Sequence, residues 1–155
     1  MVGVSGSGKS TVAQRIGGEL GDSTVVSSDH IREVELGVAD YDASLNPQVF
    51  ALLHERLDDR MRMGLPTVVD TTGLRSEQRT RFVEIAQKHQ RPIVLVICDV
   101  DPDEAWSRNV ARSQQGGRFV PEEAFQWQIE QLAALKEELV HEADIYHYHD
   151  VLFVT

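Results

Sequence analysis

The chain has 155 residues, 41% of them apolar and 26% charged, with a formal net charge of −10, which fits one soluble globular domain around a single core. No apolar run reaches the roughly 18 residues of a membrane span, no charged stretch leads into an apolar one as in a secretory signal, and the sole cysteine, Cys98, excludes an internal disulfide, so a cytoplasmic location is the default expectation. The acidic balance argues against a broad basic surface for nucleic acid and leaves room for a local basic channel on an acidic body.

In chain order, Met1–Gly3 reads as the tail of a strand, with most of the expected length absent. Ser10–Leu20 suits a helix with Val12, Ile16 and Leu20 on one stripe. "STVVS" reads as a buried strand and His30–Leu36 as a short helix. Asn46 is a candidate N-cap with Pro47 at the first helical position. That helix runs through Phe50, Leu53, Leu57 and Met61 to a stop at Gly64. "PTVVD" is a strand, and Ser76 starts a helix that turns Phe82, Ile85 and Ala86 inward. "RPIVLVICDV" is the clearest buried strand, closing on Cys98 as a core hydrophobe.

"DPDEAW" supplies an Asp cap and a Pro for a helix reaching about Ala111. "RSQQGGRF" is a polar loop. Pro121–Val140 is a long helix with Phe125, Ile129, Leu132 and Leu139 inward, and "DIYHYH" and "VLFVT" are late strands. This alternation implies one α/β domain over residues 1–155, an open and mostly parallel sheet with helices on both faces. Ligands of such sheets sit at the carboxyl ends of the strands, where Asp29, Asp70 and Asp99 fall.

"GVSGSGKS", residues 3–10, matches the P-loop pattern G-x-x-x-x-G-K-[ST]. By average residue usage, chance gives this pattern in about one chain in a hundred of this length. Each fixed position has a job. Gly3, Gly6 and Gly8, with Ser7 between, let the backbone wrap a phosphate with its N–H groups inward. The helix that follows, through Ser10 and Thr11, turns its positive end to the anion. Lys9 reaches the β- and γ-phosphates of ATP, and the Ser10 hydroxyl ligates Mg²⁺. The architecture expected is the P-loop NTPase three-layer sandwich. Motors, switches and kinases all share this cradle.

A kinase also needs an acceptor for the attacking hydroxyl's proton, a grip on the acceptor, and positive charge on the migrating group. Asp29 ends the strand after the P-loop helix and suits the first role; its bland reading is a helix N-cap. Arg32, one turn on, can pair with an acceptor phosphate or simply face solvent. Asp70 ends "TVVD" and suits a water-mediated Mg²⁺ contact or orientation of a base, or else a turn. Arg112 and Arg118 bracket "SQQGG", the composition of an arginine-bearing lid at about 112–120 or of a solvated loop. Arg108 either joins the lid or belongs to the helix surface.

Four segments, "GVSGSGKST", "SSDHIR", "TVVDTTGLRSEQR" and "RNVARSQQGGRFVPEE", resemble in order and spacing the 5′-hydroxyl polynucleotide kinase group of small P-loop phosphotransferases, an AAA-type ATP-binding kinase domain. The resemblance implies that Asp29 is the general base, Arg32 contacts the acceptor phosphate, and Arg112 and Arg118 are lid arginines. Lys9 and Ser10 take the P-loop roles. Gly73 stands where that group often has Asn, and the first strand is short, with a truncated start and a weakened sheet as the expectation. No phosphatase or ligase module accompanies these residues.

The implied activity is transfer of the ATP γ-phosphoryl to a hydroxyl, foremost the 5′-OH of a polynucleotide. Related gluconate, antibiotic and zeta-toxin-like kinases keep open a small-molecule acceptor. An ATP-binding or ATPase module acting through a protein partner is the third reading. Among weaker signals, His147 and His149 share a strand face without further metal ligands. Trp106 and Trp127 read as helix packing rather than base stacking. Phe119 has a somewhat better claim to touch adenine or acceptor, and Glu122 and Glu123 favour a helix dipole.

Overall fold

The computed structural model describes residues 1–21, 24–38, 43–140 and 148–155. Among these residues four strands are formed, β1 (Val25–Ser27), β2 (Val68–Asp70), β3 (Val94–Cys98) and β4 (Asp150–Val154). β1 pairs with β2 and β3 with β4, both parallel. The segment before the P-loop lies between the two pairs. On one side the Met1 nitrogen donates to the Val69 carbonyl and the Gly3 N–H to that of Thr72. On the other, the Val2 N–H donates to Val96 and the Cys98 N–H to Val2, both at 2.8 Å. The layer therefore reads β1, β2, the Met1–Gly3 segment, β3, β4. Short as it is, that segment is hydrogen-bonded on both sides and Val2 is buried.

The helices are α1 (Lys9–Leu20), α2 (Ser28–His30), α3 (Asn46–Arg62), α4 (Ser76–Lys88), α5 (Pro102–Gln114) and α6 (Glu122–Val140). Four consecutive buried residues, Leu95 to Cys98, mark β3 as covered on both faces. Leu95 and Ile97 join Val2, Phe125, Leu132 and Leu135 in one apolar cluster. Strand alternation turns Val96 and Cys98 the other way. A second cluster sets α3, through Val49 and Leu53, against Val26 and Ile31. A third closes the α3–α4 contact with Leu57, Met61 and Ile85.

Three local expectations are corrected. The segment expected as one helix over His30–Leu36 is split: a single turn, α2, runs into a wider π-type turn at Ile31–Glu35, in which the Leu36 N–H reaches back to Ile31. Asn46 is the first residue of α3 rather than its cap; its side-chain oxygen is engaged by Arg32 at 2.6 Å, and Pro47 does occupy the first turn. α5 passes Ala111 and ends at Gln114, because nothing breaks it before Gly116. Arg112 therefore stands on a helix, and the loop proper starts after it. Of "DIYHYH", residues 144–147, with His147, lie outside the described residues; His149 is exposed, and its N–H donates to Ile93.

Candidate active site

β1 and β2 end in register on Ser27 and Asp70, beside the point where the Met1–Gly3 segment turns into the P-loop. A cleft of about 1250 Å³ opens there, floored by the P-loop and the start of α1. Among the described residues, six basic side chains line it, Lys9, Arg32, Arg75, Arg108, Arg112 and Arg118, against four acidic ones, Asp29, Asp70, Glu104 and Glu123. A basic channel thus sits on a strongly acidic body.

The P-loop backbone is fixed by its neighbours. Gly6 holds φ +82°, and a Cβ there would lie 2.2 Å from the Ala105 carbonyl oxygen, so any side chain would drive the loop off α5. α1 follows with no side-chain cap and no acid in its first turn. Its leading N–H groups and its dipole are thereby left to an anion. Ser7 is buried, while Ser10 and Thr11 are exposed and line the cleft with half-buried Gly8. The Lys9 side chain is buried and its ammonium donates to the Val4 carbonyl at 2.6 Å.

Burial pushes the Lys9 ammonium down from 10.5 to about 8, against the opposing pull of the Asp70 carboxylate. Between those two values the unfolded chain binds more protons than the folded one, so Lys9 makes folding stability rise with pH across that window. A bound polyphosphate acts in the opposite sense and restores the proton. ATP binding near pH 8 is therefore expected to take up protons and to weaken as pH rises further. Calorimetric titrations in buffers of different ionisation enthalpy measure the uptake; an equal uptake by Lys9→Met would refute this assignment.

On the other wall stand Asp29 and Arg32. The cap of α2 is Ser27, whose hydroxyl accepts the His30 N–H at 3.3 Å, so Asp29 is released from the capping role considered for it. The Asp29 carboxylate is half exposed to the cleft and is ion-paired with Arg118 of the lid loop. The π-type turn carries Arg32 inward to 3% exposure, where it donates to Asn46. Asp70 is buried at the end of β2 and lines the same cleft. Asp99, also at a strand end, is held by Lys136 at 2.6 Å and is not among the lining residues.

The lid is more tightly tied than its composition indicates. Arg112 donates through Nε to the Arg118 carbonyl at 2.8 Å, and through its terminal nitrogen to Ser5 Oγ and Asn109 Oδ1, both at 3.2 Å. Asn109, fully buried, exchanges two hydrogen bonds with the Val120 backbone and so closes the loop at its far end. Gln128 of α6 accepts the Ser5 N–H at 2.7 Å, anchoring the P-loop from a helix 123 residues away. Arg108 pairs with Glu104 at 2.5 Å and lines the cleft. Neither Asn109 nor Gln128 carries a local sequence signal for these contacts.

Trp106 does pack, against Phe125 and Phe119, and Phe119 is exposed on the cleft. Glu122 and Glu123 occupy the first turn of α6. At Gly73, in place of the Asn of the resembled group, φ is +61° and a Cβ would meet the Met1 carbonyl oxygen at 2.6 Å, so the close backbone approach itself calls for glycine.

The residues present suit Mg²⁺. The Ser10 hydroxyl and the Asp70 carboxylate both line the phosphate end. Among the described residues, no group of three or more His, Cys, Asp or Glu forms a metal cage. Mg²⁺ is commonly held by one or two protein oxygens together with phosphates and water. Among the described residues no helix is long and apolar enough to cross a membrane.

A family model described as an AAA domain matches residues 1–135. No curated protein matches the chain by sequence. Among solved structures, the chain resembles a component of the Pnkp1/Rnl/Hen1 RNA repair complex, with TM-score 0.76 and 22% identity over 88% of its length. It spans 44% of that component. A gluconokinase from Sinorhizobium meliloti 1021 aligns with TM-score 0.58 and 25% identity, covering 99% of this chain and 78% of the other. The Mycobacterium tuberculosis APS kinase CysC, solved with AMPPNP and APS, gives TM-score 0.58 and 18% identity, covering 88% and 94%. The mixed α/β architecture with parallel strands is that of the P-loop kinases.

Proposed function

The chain belongs to the AAA domain family, and from that premise we propose that it is a phosphotransferase moving the γ-phosphoryl of ATP to a hydroxyl, foremost the 5′-OH of a polynucleotide. One observation carries this reading: Asp29 and Arg32 share a cleft with the P-loop, and the lid's Arg118 is paired with Asp29. A half-exposed carboxylate and a buried arginine lining the cleft favour a site with an acceptor over a nucleotide-binding module alone.

The P-loop amides and Lys9 hold the β- and γ-phosphates. Ser10, with Asp70 through water, would hold Mg²⁺, which when bound neutralises charge between those phosphates. Arg32 grips the phosphate next to the acceptor hydroxyl. Asp29 accepts the hydroxyl proton as its oxygen bonds to the γ-phosphorus. The bond from that phosphorus to the β–γ bridging oxygen breaks, and ADP leaves with the electron pair. Arg112 and Arg118 neutralise charge on the three equatorial oxygens. The product is a 5′-phosphomonoester.

The basic cleft supports a polyanionic acceptor, and the likeness to an RNA repair component agrees with it. The net charge of −10 and the gluconokinase and APS kinase neighbours favour a small-molecule acceptor as second reading. Incubation with γ-labelled ATP and either 5′-OH oligonucleotides or a panel of small hydroxy compounds tests the two. Label is expected on the oligonucleotide; turnover confined to a small compound would contradict the polynucleotide assignment.

A further inference from the structure

The cleft has a second wall that the phosphoryl-transfer chemistry leaves unused. Trp127, in the second turn of α6, is half-buried and lines the cleft. The Arg75 guanidinium lies over its indole, with the central carbon 4.9 Å from the ring centroid. Arg75 is exposed and sits immediately before α4, at the end of the turn that Gly73 allows. Among the described residues it makes no ion pair, whereas the cleft arginines 108 and 118 are paired with Glu104 and Asp29. A guanidinium without a carboxylate partner among the described residues, lying over an indole, offers a cationic π-surface in the cleft that also holds Asp29 and Arg32.

Such a platform fits a planar π-system with an anion close by. A nucleobase stacks on an indole face whatever its sequence, and its phosphate meets a guanidinium. We propose that Trp127 and Arg75 form the subsite for the acceptor's terminal nucleobase, which stacks on the guanidinium–indole pair. This rests on the polynucleotide reading of the acceptor given above. It assigns this wall to the acceptor rather than to the adenine of ATP, since Arg75 comes five residues after Asp70, the residue that the proposed mechanism sets at the γ-phosphate, the end of ATP away from adenine.

The test compares two 5′-OH oligonucleotides, one with a natural terminal nucleotide and one with an abasic residue there. Wild type is expected to favour the natural acceptor by about 10- to 100-fold in kcat/KM. Trp127→Ala is expected to use both alike, with the change in acceptor KM and not in the KM for ATP, and Trp127→Phe to keep most of the preference. Should Trp127→Ala not fold, Arg75→Ala, at an exposed position, carries the test and is expected to weaken the preference. A wild-type preference in folded Trp127→Ala, or in Arg75→Ala where that variant carries the test, would overturn the subsite while the kinase reading stands. Loss in the KM for ATP instead would also overturn it. Failure of wild type to phosphorylate either oligonucleotide would overturn the polynucleotide reading and the subsite with it.

Discussion

Asp29→Asn is expected to lower acceptor-dependent phosphoryl transfer by about 10²–10⁴-fold, the range for losing a general base, while ATP still binds. The carboxylate stands half exposed at the cleft, two residues beyond β1, where an incoming hydroxyl can reach it. The P-loop does not depend on it: the Lys9 ammonium donates to Val4 and Gln128 holds the Ser5 N–H. Asparagine keeps the size and an acceptor oxygen for Arg118 and loses the basicity. Single-turnover transfer with saturating ATP, beside a calorimetric ATP titration, separates the two effects. Transfer within tenfold of wild type would remove Asp29 from the role of base.

Arg112→Ala is expected to cost about 10³-fold in kcat, of the order seen when a positioned arginine or oxyanion donor is lost at a reacting phosphoryl or acyl group. Its guanidinium spans the Arg118 carbonyl, Ser5 Oγ and Asn109 Oδ1, so one side chain ties lid, P-loop and α5 together. Arg112→Lys is expected to recover little. An ammonium is a single point of charge on a flexible stem and cannot reach three acceptors in a fixed fork. Steady-state kinetics with varied ATP checks this, with the loss falling on kcat more than on KM. An Arg112→Lys variant at wild-type rate would show that charge alone suffices.

How much of this was legible in the sequence follows from how local each feature is. The P-loop was legible because phosphate binding draws on eight consecutive residues, each fixed by backbone geometry or charge. Asp29 and Asp70 were legible as carboxylates closing or following short apolar runs, which places them at or just past strand ends, and Arg32 as the basic residue one turn further on. Asp99 had the same signature, yet Lys136 of α6 holds it away from the cleft, and only the tertiary fold decides that. The N-cap at Asn46 failed because Arg32, 14 residues earlier, claims its amide. The capping role considered for Asp29 went to Ser27, one of the two serines before it.

The supports of the site were hidden for the same reason. Gln128 touches the P-loop across 123 residues, and Asn109 touches Val120 across a loop whose path no propensity specifies. Trp127 carried the pattern of a core residue, which in part it is, until Arg75 from a different helix boundary is found over its ring. The ion pair of Arg118 with Asp29 joins the loop after α5 to the end of β1 across 89 residues, a contact no local pattern signals.

The measurement that bears most directly on the whole account is the dependence of γ-phosphate release and transfer on acceptor, followed with γ-labelled ATP and wild-type protein. Hydrolysis is expected to be slow without acceptor, and label to appear rapidly as a 5′-phosphomonoester when a 5′-OH oligonucleotide is added. Hydrolysis at the same rate with and without any hydroxyl acceptor, and no labelled ester, would contradict it.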